Sequence, residues 1–170
     1  MSDFVHFVIT GGTIDSHYDV TKDTVVPLKK SAVPDYMGSL KLYDKIEFSQ
    51  ICMKDSRDLN SKDTKEILKC IESSKAKRII ITHGTYTMAD TAKYLKHNLK
   101  IKDKTIVFTA SMIPLVGFTP TDASFNLGYA FSQVKILEPG IYVCMNGRTF
   151  LADNVRKILS EGRFASIYTK

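Results

Sequence analysis

Two hydroxyl residues that directly follow glycine offer the chemistry in this sequence. The first is Thr13, in Val8-Ile9-Thr10-Gly11-Gly12-Thr13-Ile14-Asp15; the second is Thr85, in His83-Gly84-Thr85-Tyr86-Thr87. Each follows an apolar, β-branched run, Phe4 to Ile9 and Arg78 to Thr82, so a buried strand delivers each hydroxyl at its carboxyl end. Glycine lets the backbone turn tightly there and lets another group approach it closely. Two hydroxyls on neighbouring loops beside glycine backbone suit attack on a carbonyl and stabilisation of the oxyanion that forms. A threonine hydroxyl is a weak nucleophile and needs a base or a lowered pKa. Tyr18 lies close enough after Thr13 to fold back over it. Lys157, late in the chain, activates Thr85 if it reaches it and if burial lowers its pKa.

Every one of these signals also has a plainer reading. Gly-Gly-Thr after a strand makes an ordinary turn, and Thr85 or Thr87 can simply cap the next helix. His83 reads as a packing histidine, Arg57 and Asp58 as a surface ion pair, and a single lysine as surface. Neither a G-x-G-x-x-G run nor a Walker loop occurs, so no nucleotide motif is present.

The elements that must position these residues follow from periodicity. After the first strand a long connection runs to Lys45 without a clear period, and Val33 to Met37 is a short helix with Pro34 in its first turn. Because it starts at the active edge, this connection reads as a lid. Ile46 to Met53 alternates as a strand and ends in Asp55-Ser56-Arg57-Asp58. Ser61 to Thr64 opens a helix with Ile67, Leu68 and Ile71 on one face. The helix after Thr87 turns Met88, Ala92, Tyr94, Leu95 and Leu99 inward. Thr105 to Thr109 is a strand leading to Ser111-Met112-Ile113-Pro114. A helix capped near Thr121 or Asp122 follows, with Phe125, Tyr129 and Val134 along one side. Ile141 to Met145 and Arg148 to Leu151 flank Asn146-Gly147, the strongest hairpin signal in the chain. Strands alternating with helices give an α/β, three-layer fold: a mostly parallel sheet, helices on both faces and a late antiparallel hairpin. Gly11–Thr13, Asp55–Asp58, Gly84–Tyr86 and Ser111–Pro114 then share one edge, where ligands of such sheets sit.

Composition narrows the classes. The chain has 170 residues, 44% hydrophobic and 25% charged, which is one globular domain over residues 1–170. Its net charge of +6 is scattered among acids, with no basic face interleaved with aromatics, so no nucleic-acid partner is expected. No apolar run reaches membrane-spanning length, and no membrane partner is expected. Cys52, Cys70 and Cys144 are dispersed, odd in number and without metal-ligand spacing; they read as buried free thiols in a reducing cytoplasm.

Taken together, Thr10-Gly11-Gly12-Thr13-Ile14, Asp55-Ser56-x-Asp58, His83-Gly84-Thr85-x-Thr87-Met88 and Arg156-Lys157 resemble the L-asparaginase/glutaminase family of threonine amidohydrolases. The resemblance is to that family's N-terminal catalytic domain, in order along essentially the whole chain, with the smaller C-terminal domain expected to be absent. It implies a cofactor-free, metal-free homo-oligomer that hydrolyses L-asparagine to L-aspartate and ammonia. It implies Thr13 as nucleophile, Tyr18 as its proton partner on the lid, and Thr85 with Lys157 as a second hydroxyl–amine pair. Ser56 would hold the substrate's α-carboxylate, with Gly12, Asp55, Arg57, Gly84 and Tyr86 lining the substrate. Two positions depart from the pattern. The family has aspartate after the second threonine, binding the α-amino group and supporting the lysine, where this chain has Tyr86. Arg57 stands where a small or amide residue is usual, able to strengthen carboxylate binding or repel an ammonium. Asp15, Asp55 and Asp58 are the candidate substitutes for the missing acid. Two alternatives stand beside asparagine hydrolysis: an amidase for another small amide such as glutamine, and a non-catalytic domain that binds carboxylates or amino acids.

Overall fold

Strand β1 (Phe4–Gly11) is buried along its whole length because its side chains alternate between two apolar layers. Phe4 and Val8 enter one layer and Val5 and Phe7 the other, the pattern of a central strand covered on both faces. The structure, a computed structural model, describes residues 4–168. The chain continues through β2 (Ser16–Asp19), β3 (Thr24–Pro27), α1 (Val33–Ser39), β4 (Lys45–Lys54), α2 (Ser61–Ser73), β5 (Arg78–Thr82), α3 (Met88–Asn98) and β6 (Thr105–Thr109). It closes with α4 (Ala123–Ile136), β7 (Gly140–Met145), β8 (Arg148–Leu151), β9 (Arg156–Ile158) and β10 (Arg163–Ala165).

Six strands form one sheet in the order β4-β1-β5-β6-β7-β8. All neighbours are parallel except β8, which returns antiparallel on β7 through Asn146 and Gly147, both at positive φ. That geometry is the one a two-residue hairpin turn requires. One face packs Ile79, Ile81, Ile106 and Phe108 against Ile67 and Ile71 of α2 and Met88, Ala92 and Leu95 of α3. The other packs Ile80 and Val107 against Val33 and Met37 of α1 and Ala123, Leu127, Ala130 and Val134 of α4. The expected three layers are therefore present. Helix α2 starts on a capping box in which Asn60 accepts from Asp63 N–H and the Asp63 carboxylate accepts from Asn60 N–H.

Counting only the parallel strands in chain order, the sheet reads 2-1-3-4-5, and the chain reverses its direction of travel at β1. The switch point lies between β1 and β5, and in sheets of this kind ligands bind in the crevice outside the carboxyl ends of the strands at that point. Thr13 and Thr85 leave the sheet on either side of it.

Two local features differ from the periodicity reading. The long connection after β1 is partly ordered: β2 and β3 pair antiparallel, with Tyr18 opposite Val25 and Asp19 opposite Thr24. Its alternation is too short to stand out, and Asp23 turns the chain at positive φ where a glycine would have marked the turn. On α4 the buried positions are 123, 126, 127, 130 and 134, whereas Phe125 is exposed and stacks on Tyr129 at 6.4 Å between ring centroids. Small Ala123 and Ala130 mark the core side because the helix lies close on the sheet, so ring size misleads about which face is inside.

Candidate active site

The site is built on contacts that only glycine permits. A β-carbon on Gly12 would lie 2.5 Å from both Cα and N of Gly84, and one on Gly84 would lie 2.6 Å from the Ser56 hydroxyl oxygen. The loops after β1 and β5 are thus stacked backbone against backbone, Gly12 on Gly84, and Gly84 in turn packs on the Ser56 side chain of the loop after β4. Thr13 and Thr85, each the next residue along, leave this contact together.

Thr13 opens a short 3-10 turn, half-buried, with no hydrogen bond from its hydroxyl among the described residues. Asp15, at the end of that turn, is fully buried; its carboxylate accepts from the Ser31 hydroxyl at 2.7 Å and Ala32 N–H at 2.8 Å. Burial pushes the Asp15 carboxyl above its ordinary pKa, with the Ser31 bond opposing. Asp15 therefore ties the turn to α1 and is spent as a carboxylate.

Thr85 is buried, and its hydroxyl accepts a 2.7 Å hydrogen bond from Nζ of Lys157, a residue of β9. Burial pushes Lys157 below the ordinary lysine value, the Arg57 guanidinium pushes the same way, and Asp55 pushes back. Lys157 is held in register opposite Phe164 of β10. Phe164 N–H donates to the Asn146 side chain, and Asn146 N–H donates to that of Asn126. Asn126 in turn donates to Ala110 C=O and to Asp122, whose carboxylate accepts the N–H groups of Met112 and Ile113. This polar relay sets Lys157 and the Ser111–Pro114 loop against α4. Asp122 sits at the helix N-cap position, but its side chain serves this loop, and the Thr121 hydroxyl accepts the first helical N–H. The sequence gives no sign of the relay, because its members read as helix-cap and turn residues.

Ser56 is buried; its hydroxyl meets Thr87 N–H and its carbonyl accepts from the Thr87 hydroxyl at 2.8 Å. Arg57 pairs with Asp55, not with Asp58 as sequence adjacency implied: Nε and Nη2 reach the two Asp55 oxygens at 2.9 and 2.8 Å. This fork holds the Asp55 carboxyl below the usual carboxylate range. The Tyr86 ring is 52% exposed, with the Arg57 guanidinium 4.7 Å and the Lys157 ammonium 4.4 Å from its centroid. Tyr18 stands on the β2–β3 hairpin, exposed, and its hydroxyl donates to Asp23. The structure therefore joins Lys157 to Thr85 and does not join Tyr18 to Thr13.

His83 is fully buried; its Nδ1 meets Gly84 C=O at 2.8 Å, its ring lies edge-on to Phe108, and Nε2 has no protein partner. Desolvation pushes its pKa down to about 4. A histidine neutral in the fold but chargeable when unfolded binds fewer protons natively, so stability is full above its ordinary value of 6.5 and falls as pH drops toward 4. We expect His83 to contribute a slope of about 1.2 kcal/mol per pH unit between roughly pH 6 and 5. Urea unfolding at those pH values checks it: His83→Gln should flatten the slope by that amount, and an unchanged slope would refute the assignment.

Among the described residues, no three His, Cys, Asp or Glu side chains gather as metal ligands, and no helix is long and apolar enough to cross a membrane. The cysteines are free; Cys144 is buried and Cys52 and Cys70 half-buried. Burial pushes the thiols of Cys52 and Cys144 up to about 11.

Fold and site define an α/β protein with two strand-end hydroxyls at the switch point of the sheet, one of them bonded to a lysine amine. The asparaginase N-terminal domain matches residues 4–167, and the chain belongs to the asparaginase family. It is 32% identical over 161 residues to L-asparaginase 2 of Escherichia coli, an alignment covering 90% of this chain and 46% of that protein. It is 30% identical over 167 residues to the glutaminase-asparaginase of Acinetobacter glutaminasificans, covering 90% and 49%. The thermostable L-asparaginase of Thermococcus kodakarensis superposes with a TM-score of 0.80 at 27% identity, over 98% of this chain and 52% of that one. The chain thus spans about half the length of these relatives.

Proposed function

We propose that this chain is an amidohydrolase for small, carboxylate-bearing primary amides, with L-asparagine to L-aspartate and ammonia as its reference reaction. The observation that carries the reading is the 2.7 Å bond between Lys157 and Thr85, beside the glycine contact that brings the Thr13 turn to the same crevice. Thr13 Oγ1 attacks the amide carbon; the C–N bond breaks, and the nitrogen leaves as ammonia with the proton the hydroxyl gives up. Water then opens the acyl-enzyme, restoring Thr13 and releasing the acid. Tyr18 serves as the proton partner of Thr13 when the β2–β3 hairpin closes and its hydroxyl leaves Asp23. Thr85 and Lys157 move the second proton, since a lysine with a lowered pKa is the more readily neutral and able to accept. Ser56, Arg57 and Asp55 line the carboxylate end, with Tyr86 beside them and Gly12 and Gly84 shaping the floor. A homo-oligomer in the cytoplasm belongs to the same reading.

Ammonia release from the purified chain over a wide range of L-asparagine, wild type beside Thr13→Ala, tests the proposal. Saturable release that depends on Thr13 supports it; amino-acid binding without turnover favours the non-catalytic alternative. Lys157→Met should lower kcat by about 10²- to 10⁴-fold, the usual contribution of one acid–base group. The rate should rise with pH as Lys157 loses its proton, at a pKa below the ordinary lysine value. Arg57→Gln removes a cation that lowers that pKa, so the rising limb should move to higher pH. A pH profile of kcat/KM that stays in place would sink the role given to Lys157.

A further inference from the structure

Tyr86, Arg57, Asp55 and Lys157 form a charge arrangement that selects among amides. Asp55 is mostly engaged: Nε and Nη2 of Arg57 reach its two oxygens and Arg57 N–H takes Oδ1 again, three of its roughly four acceptor sites. Asp15, the other acid on the Thr13 side, is buried and engaged by Ser31 and Ala32. The face of Tyr86, which could otherwise hold a ligand cation, already carries the Arg57 and Lys157 cations at 4.7 and 4.4 Å. Donors, by contrast, are in surplus. Arg57 uses two of its five N–H groups on Asp55, and Lys157 gives one of its three protons to Thr85. Arg57 also acts on the Lys157 ammonium more strongly than Asp55 does. A groove of about 360 Å³ opens on the Lys157 side of Tyr86, lined by both of these and by Arg156, Lys93, Asp90 and Asp153 among others.

We propose that the site takes the monoamide of a short dicarboxylic acid, bearing a carboxylate at the far end and no ammonium, in preference to an α-amino acid amide. The far carboxylate meets the free donors of Arg57 and Lys157, whereas an α-ammonium placed there meets the same two cations, with the nearby Asp55 carboxylate already forked by Arg57. Tyr86 enforces the choice by holding both cations on its ring where an acidic side chain would have neutralised them. The inference rests on the amidohydrolase reading above, and the products are the diacid and ammonia with water as the sole co-reactant.

The test is ammonia release from succinamate and L-asparagine, measured as kcat/KM for wild type, Tyr86→Phe and Tyr86→Asp, with calorimetric binding of succinate and L-aspartate alongside. Wild type should favour succinamate by at least about tenfold, the scale on which a mismatched polar contact discriminates. Tyr86→Phe keeps the ring and should keep that order, and Tyr86→Asp supplies a carboxylate and should move it toward asparagine. Equal or better use of asparagine by wild type overturns the inference and leaves the amidohydrolase standing. If neither amide releases ammonia, the amidohydrolase reading fails on these substrates and binding decides. Tighter binding of succinate than L-aspartate then supports the charge selection, and equal or absent binding overturns it.

Discussion

Ammonia release by Thr13→Ala is expected to fall to background, a loss on the order of 10⁴-fold or more in kcat, because removal of the proposed nucleophile leaves only binding and oxyanion stabilisation. The fold should not change. The Thr13 hydroxyl makes no hydrogen bond among the described residues, and the turn that carries it is held by its neighbours: Gly12 N–H donates to Lys54 C=O and Asp15 binds Ser31 and Ala32. Thermal unfolding of the variant should therefore match wild type within the small range typical of substitutions that break nothing. That separation makes the measurement decisive: unchanged melting with abolished turnover assigns the chemistry to the hydroxyl. Thr13→Ser, which keeps a hydroxyl and loses a methyl group, should retain measurable activity. Turnover near wild type in Thr13→Ala would place the nucleophile elsewhere, with Thr85 the first candidate because its hydroxyl already touches an amine.

How much of this is legible in the sequence depends on the range over which each feature is set. The central strands are readable because Ile79-Ile80-Ile81 and Phe4 to Ile9 are apolar on both alternating faces, a property of the local run itself. Their shared edge follows from the alternation of strands and helices, which forces parallel pairing. The family resemblance pairs Thr85 with Lys157, and the two lie in contact although they are far apart in the chain. Side-chain partnership is less legible. Asp55 and Asp58 both flank Arg57, and which of them turns toward the guanidinium depends on the 3-10 turn that Asp55 caps. The β2–β3 hairpin escapes a periodicity reading because four-residue strands carry too few alternations to rise above a polar background. The Asp122–Asn126–Asn146 relay escapes it for another reason: polar residues acting across three elements leave no periodic trace. Tyr86 stands out in the sequence only as a departure from the family pattern. What it does, holding two cations on one ring, is set by the fold that brings Arg57 and Lys157 to it.

Gly12→Ala is the second substitution with a large expected effect, and it acts through backbone alone. Gly12 lies at φ 84° and ψ −174°, a region essentially closed to any residue with a β-carbon. The added carbon would also fall 2.5 Å from Cα and N of Gly84 and 2.8 Å from the His83 carbonyl carbon. None of these atoms can swing aside as a flexible side chain would, because His83 N–H is bonded to Thr109 C=O and β5 is pinned between β1 and β6. Strain and overlap add, and the loss should exceed about 4 kcal/mol, the range reserved for disrupted backbone and packing. Any variant that folds should also have lost turnover, since the Thr13 and Thr85 loops cannot keep their stacked contact. Gly128→Ala is the matched control. It lies inside α4, where an added β-carbon meets nothing within 4 Å, so it should stabilise by roughly 0.5–1 kcal/mol through helix propensity. Denaturant unfolding of the pair separates general sensitivity to glycine replacement from the specific contact. If Gly12→Ala unfolds like wild type, the β1 and β5 loops are not locked together, and the crevice between the two threonines is not a preformed site.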